Sequence, residues 1–289
     1  VGSPDQTEPE TTLALSGPRF MSGAGLFASS STSFGFFAVD PASGTASPSG
    51  GGPPASGVAL TEFRVDAPTG AFAAFAAPFT LEQGERLIEF RSADNAGNLE
   101  LTKSSVVKVD ASAPVSELLI GFPNALLADG SVLVSSRTPL RVASTDPASG
   151  GGTPASGGVA AGVRESFVAV DTTVFSSAAG EFTLQAPDGR KTLRFFAVDN
   201  VANSGLIQST VAVLDSRPPE ISLRSPGPDE GGICRVLEGT IAVRGAVSDP
   251  HLRAYRLEAA PGRSASSGFV LVGSRAVAAD GVLRVWDAS

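Results

Sequence analysis

Leu87-Ile88-Glu89-Phe90-Arg91-Ser92-Ala93-Asp94-Asn95-Ala96-Gly97-Asn98 and Thr192-Leu193-Arg194-Phe195-Phe196-Ala197-Val198-Asp199-Asn200-Val201-Ala202-Asn203 are two copies of one pattern, 105 residues apart. Alternate residues of each copy fall into two rows. One row reads Ile88, Phe90, Ser92 and Leu193, Phe195, Ala197, and stays apolar or small. The other reads Leu87, Glu89, Arg91 and Thr192, Arg194, Phe196, and admits charge. A period of two with one apolar row predicts a half-buried antiparallel strand. Each run then meets Asp-Asn. Such side chains bond nearby backbone amides and tolerate left-handed angles, so a tight turn is predicted to close the strand.

The same spacing holds elsewhere in the chain. Asp-x-x-x-Pro occurs at Asp5 to Pro9, Asp110 to Pro114 and Asp215 to Pro219. Gly57-Val58 answers to Gly162-Val163, Val65-Asp66 to Val170-Asp171, and Gly84 to Gly189. Pro78-Phe79-Thr80-Leu81 meets Glu181-Phe182-Thr183-Leu184 at an offset of 103, a local change in length. So many landmarks in register mark a tandem repeat. The expected organisation is a linker tail at 1–8, repeats at 9–110 and 114–215, and a third unit at 219–289. Other strand-like runs are Thr32–Val39, Thr61–Asp66, Phe79–Leu81 and Ser104–Val109. Several short strands per repeat, divided by Gly, Pro and Asp, point to a Greek-key sandwich. The fold class expected is all-β: tandem Ig-like or fibronectin-III-like antiparallel β-sandwich domains in an elongated array.

Composition narrows the function. The 289 residues are 42% hydrophobic and 17% charged, enough to bury cores. The net charge of −8 repels phosphate backbones, and the 21 basic residues form no cluster, so no nucleic acid partner is expected. Cys234 is the only cysteine, which excludes an intrachain disulfide and reads as a small buried hydrophobe. No apolar run approaches the roughly 20 residues of a membrane-spanning helix. The chain opens at Val1 rather than Met, so processing or truncation is expected to have removed its start, with any signal or anchor outside this stretch. Between Asp40 and Gly57, and again between Asp146 and Gly162, lie Gly/Ser/Pro-rich segments. These read as surface insertions rather than binding loops, because they offer no aromatic or charged anchor.

Residues that bear chemistry are few. His251 is the sole histidine, beside Asp249-Pro250, and no G-x-S-x-G elbow accompanies it. One His and one Cys are too few for a zinc site. Asp66, Asp94 and Asp110 recur in the second repeat, which favours structural roles. Asp94, Asn98 and Asp110, with their counterparts Asp199, Asn203 and Asp215, offer hard oxygens for calcium. Calcium takes six to eight such ligands, and the turn role is preferred. The 17 Phe against one Trp and one Tyr argue for core rather than sugar platforms, and Trp286 reads as core. No catalytic, cofactor-binding or metal residue is assigned; no cofactor is expected, and the chain is not expected to be an enzyme.

The run from Gly57-Val58-Ala59-Leu60-Thr61-Glu62-Phe63-Arg64-Val65-Asp66 through Pro78-Phe79-Thr80-Leu81 and Gly84 to Asp94-Asn95-Ala96-Gly97-Asn98 resembles a bacterial Ig-like surface repeat of the OmpL-type β-barrel class. The resemblance covers both full repeats. Departures are Asp66-Ala67-Pro68 and Asp171-Thr172-Thr173 where the family has Asp-Gly-Gly, and Gly84-Glu85-Arg86-Leu87 where it has G-x-H-T. The third unit, with Tyr255-Arg256-Leu257-Glu258 and Val285-Trp286-Asp287-Ala288-Ser289, is similar to a second bacterial Ig-like type and is expected to be C-terminally truncated, lacking a final hairpin. These resemblances imply a non-catalytic spacer or adhesive stalk of a large secreted or cell-surface bacterial protein. The alternatives are an accessory carbohydrate-binding region of a secreted hydrolase and a protein–protein docking array. The partner is unknown; a glycan or a protein at the cell surface are the candidate classes.

Overall fold

The alternation in the quoted stretch is a strand in both copies. β7 (Gly84–Asp94) buries Ile88, Phe90 and Ser92, and β15 (Gly189–Asp199) buries Leu193, Phe195 and Ala197. The intervening residues are only half-buried. The computed structural model describes residues 5–41, 55–149, 158–225, 239–260 and 266–287. Cys234 and most of both Gly/Ser/Pro-rich segments lie outside them. Every regular element among the described residues is a strand, and the chain is an all-β series of sandwiches.

The first sandwich contains β1 (Glu10–Ser16), β2 (Arg19–Ser22), β3 (Gly25–Ser29), β4 (Ser33–Val39), β5 (Val58–Val65), β6 (Ala73–Ala74), β7 and β8 (Lys103–Asp110). One sheet pairs β1 with β4; the other runs β2-β3-β8-β7-β5-β6. Between them Ile88, Phe90, Val107 and Val109 pack on Phe34, with Phe36, Phe63 and Phe79 at the edges. Phe63 and Phe79 stack with centroids 4.6 Å apart, and Phe36 meets Phe90 at 5.0 Å. Phe27, Phe34, Phe90 and Phe195 are buried and Phe36, Phe63, Phe79 and Phe182 pack against the cores, whereas Phe37, Phe122 and Phe269 are exposed.

The pairing of β3 with β8 departs from the antiparallel expectation. β3 runs parallel to β8, with Leu26 opposite Val107 and Ser29 opposite Asp110. The cause lies just after β1. Gly17 adopts a φ of 117°, and Pro18 has no N–H for a ladder, so the chain leaves the β1–β4 sheet and joins the other.

The second group repeats the plan. β9 (Val115–Ile120) pairs with β12 (Leu140–Thr145). The larger sheet runs β10-β11-β16-β15-β13-β14, with β10 at Asn124–Leu126, β11 at Val132–Val134, β13 at Val163–Val170, β14 at Ser176–Ser177 and β16 at Gln208–Leu214. Bulges fall at equivalent places, between Val58 and Leu60 and between Val163 and Glu165. The third group has sheets β17-β18-β21 and β19-β20, with β17 at Glu220–Ser225, β18 at Thr240–Ser248, β19 at Tyr255–Ala259, β20 at Val270–Arg275 and β21 at Ala279–Asp287. Val247, Tyr255 and Leu283 form its core, while Trp286 is half-buried opposite Ile241.

Two compact units result: Val1–Leu184 with Arg190–Val213, and Gln185–Gly189 with Leu214–Ser289. The first holds the first two sandwiches, and the joint between them is packed. Phe27, Val159, Ala161 and Val201 form one buried cluster, with Phe20 against it. The Gln83 side-chain amide donates to the carbonyls of Ser149 (2.8 Å) and Val159 (3.0 Å), and its oxygen accepts from the Ala111 N–H.

The outer, charged row of β7 is ordered too. Arg64 pairs with Glu89 at 2.8 Å and Arg91 with Glu62 at 2.6 Å, each pair directly across the β5–β7 ladder. Both guanidiniums lie over the Phe72 ring, at 4.4 and 4.2 Å. On the inner side, Glu100 is 5% exposed and binds the two sheets together. It accepts from the Thr11 N–H (2.9 Å) and the Ser92 N–H (3.1 Å), and Lys103 pairs with it at 2.6 Å. Burial raises the Glu100 carboxyl, but Lys103 and Thr11 outweigh it and hold the group below its usual range.

Glu100→Ala leaves two buried N–H groups without acceptors, at about 1–3 kcal/mol for a buried group so orphaned. Hydrogen exchange of β1 and β7 is expected to lose protection equivalent to about 2 kcal/mol or more, with Glu100→Gln losing less. A change below about 0.5 kcal/mol for the alanine variant would contradict this role, since that is the level of a neutral surface substitution.

Candidate functional site

The buried row of the decisive strand does not end with its last apolar residue. It runs on to Asp94 in β7 and Asp199 in β15, which are 4% and 0% exposed. Each carboxylate closes the turn that follows. Asp94 Oδ1 accepts from the Asn98 N–H at 2.7 Å and Oδ2 from the Asn98 side-chain amide at 2.7 Å. Asp199 does the same with Asn203, at 2.7 and 2.6 Å, and also accepts from the Val201 N–H. The Asn side chain then reaches the segment entering the sandwich. Asn98 donates to the carbonyls of Asp5 and Thr7, and Asn203 to that of Asp110.

The turn role read for these residues is thus present in the hydrogen bonds, but the sequence grouping was out of register. Asp94, Asn98 and Asp110 do not form one set. Asp94 clusters with Asp5 and Asp40, and Asp110 clusters with Asp146 and Asp199. In each trio one carboxylate oxygen per residue lies within 4.8 Å of the other two. Asp5 and Asp110 each belong with the turn of the repeat that follows, because that repeat's β7-type turn folds back over its own entry segment.

Sequence reasoning missed Asp40 and Asp146. Each stands immediately after a strand, β4 or β12, and immediately before a proline; Asp249-Pro250 repeats the arrangement after β18. That recurring strand-end Asp-Pro was the available signal. Asp40 Oδ2 accepts from the Gly57 N–H at 2.6 Å, and Asp146 Oδ2 from the Gly162 N–H at 2.7 Å. Gly57 and Gly162 hold φ near 84° and 83°, a conformation that favours glycine. Their carbonyls in turn accept from the backbone N–H and side chain of Asn95 and Asn200.

Among the described residues no Lys or Arg forms an ion pair with Asp110, Asp146 or Asp199. Burial, joined by the charges of Asp110 and Asp199 and opposed by the Gly162 N–H, pushes Asp146 up to about 6. Burial likewise raises Asp199, with Asn203 and Val201 opposing and the Asp110 charge adding to it. Asp94 goes the other way: burial raises it, but the side-chain and backbone donors of Asn98 pull it below its usual value.

The remaining candidates have local roles. Asp66 and Asp171 adopt φ of 53° and 54° at the turn after their strands, and each accepts from a strand N–H, Leu87 or Thr192, at 2.8 Å. In the second compact unit His251 Nδ1 lies 2.7 Å from Asp215 Oδ2, and the His251 N–H donates to Asp249 Oδ1 at 2.7 Å. Asp215, Asp249 and His251 form a third cluster there, with histidine in place of the third acid.

This strand arrangement defines a protein of the tandem β-sandwich class. Among solved structures the chain is similar to the fibronectin(III)-like modules of Clostridium thermocellum CbhA, at 13% identity and a TM-score of 0.36, over 72% of this chain and 95% of that one. No protein-family model matches it, and no curated protein does.

A carboxyl whose folded pKa is raised disfavours folding once ionised. Its contribution to stability is greatest below the unfolded value near 3.9 and is lost as pH rises through about 6. In chelator-treated protein, the stability difference between wild type and Asp146→Asn, read from hydrogen exchange in β15, is therefore expected to swing toward the variant between pH 4 and 6.5. A difference that stays flat across that window would contradict the assignment.

Proposed function

We propose that this chain is a non-catalytic spacer or adhesive stalk segment of a large secreted or cell-surface bacterial protein. In this reading residues 9–110, 114–215 and 219–289 are successive Ig-like domains, the first two of the OmpL-type repeat class and the third of a second type. The observation that carries it is the joint inside the first compact unit. Phe27 of β3 is buried against Val159, Ala161 and Val201 of the next sandwich, and Gln83 reaches across to two backbone carbonyls. A stalk transmits position along its length, and a packed joint limits the swing between neighbours.

The recurrence supports the same reading. What repeats at the 105-residue offset is turn-closing Asp and Asn, the glycines they bond, and the apolar row of one strand. Those are the residues that make a unit stackable. Specificity in such arrays is placed in loops or in further domains.

Residual dipolar couplings of the chain test the joint. The first and second sandwiches are expected to report one shared alignment tensor. Independent tensors would overturn the rigid-spacer reading. Turnover of a glycan or peptide panel that is lost on mutating one carboxylate would overturn the non-catalytic one.

A further inference from the structure

We propose that Asp110, Asp146 and Asp199 are the protein ligands of a hard divalent cation of the calcium class, bound at the joint between the first and second sandwiches, and that Asp5, Asp40 and Asp94 form a second copy.

Three acidic groups close together are common and prove little by themselves. The second observation is the state of their oxygens. In the Asp110 trio five of the six carboxylate oxygens have hydrogen-bond donors. Asp110 Oδ1 accepts from Ser112 N–H (3.0 Å) and Oδ2 from Ala161 N–H (2.6 Å). Asp199 uses both oxygens on Asn203, and Asp146 Oδ2 is held by Gly162. The sixth, Asp146 Oδ1, is shut off from solvent and has no partner. A buried unpaired carboxylate oxygen is costly, and native structures rarely keep one without a ligand.

The same defect recurs where chance would not put it. Among the described residues only three buried side-chain polar atoms lack a partner: Asp40 Oδ1, Asp146 Oδ1 and the Tyr255 hydroxyl. Two of the three are the equivalent oxygens of the two trios. Each trio gathers one residue from the entry segment, one from the end of the strand before the Gly/Ser/Pro-rich segment, and one from the end of the buried row.

Donor chemistry fixes the class of ligand. Carboxylate oxygens without nitrogen or sulfur select hard cations over zinc or copper. Calcium accepts flexible coordination at 2.3–2.6 Å with water and carbonyls completing its shell, whereas magnesium demands a near-ideal octahedron.

The site does not depend on the spacer reading, and the test below leaves that reading's own test untouched. The whole chain, stripped with chelator, is titrated calorimetrically with calcium chloride, and its melting is followed with calcium and with excess chelator. Two or more equivalents are expected, with a chelator-reversible rise in melting temperature. Asp146→Asn, which keeps the side-chain shape, is expected to lose one equivalent and its share of the rise, while remaining at least as stable as wild type in chelator. That last readout separates a lost ligand from a failed fold. Asp40→Asn is expected to remove a different equivalent, so that the double variant loses both. An absence of binding heat at millimolar calcium, or binding that both variants leave intact, would overturn the proposal.

Discussion

The constraint on which the structure turns is the carboxylate at the end of a buried row. Asp94 and Asp199 continue the line of side chains that forms each core, so a charged group is drawn to the rim of an apolar layer. Such a group must be satisfied. The chain meets that requirement with the Asn four residues on, whose backbone and side chain both donate to it. The same Asn amide then bonds the segment that enters the sandwich. One polar residue at a strand end thereby fixes both the turn and the entry of the chain into its own sandwich.

The joint between the first two sandwiches follows from this geometry. Asp110 closes β8 of the first sandwich, and its carbonyl and carboxylate bond Asn203 and Ala161 of the second. These polar bonds and the Phe27–Val201 cluster together hold the connection. A divalent cation among Asp110, Asp146 and Asp199 adds a third tie at the same place.

Much of the fold was legible because it rests on a local period. The alternation of Ile88, Phe90 and Ser92 needs no knowledge of partners to be read as a strand, and the 105-residue offset carried that reading to the second copy. The switch of β3 to a parallel neighbour was not legible, since it depends on which sheet the chain reaches after Gly17-Pro18. The acidic trios were half legible. Asp94 and Asp110 were visible as oxygen donors but were placed in one set. The assignment failed because it joined residues within one repeat, whereas the turn of each repeat folds over the Asp that precedes it. Asp40 and Asp146 were hidden as ordinary Asp-Pro strand ends, and only their convergence in space gives the unpaired oxygens a meaning.

The central claim is that the acids of each trio act as one site. Crystals grown with calcium, or soaked with a heavier hard cation of similar size, and measured at a wavelength that reveals its anomalous scattering, test this most directly. The account predicts a peak bounded by Asp110, Asp146 and Asp199, with a second bounded by Asp5, Asp40 and Asp94. Density without a peak at either trio, with Asp146 Oδ1 still buried and unpaired, would contradict it.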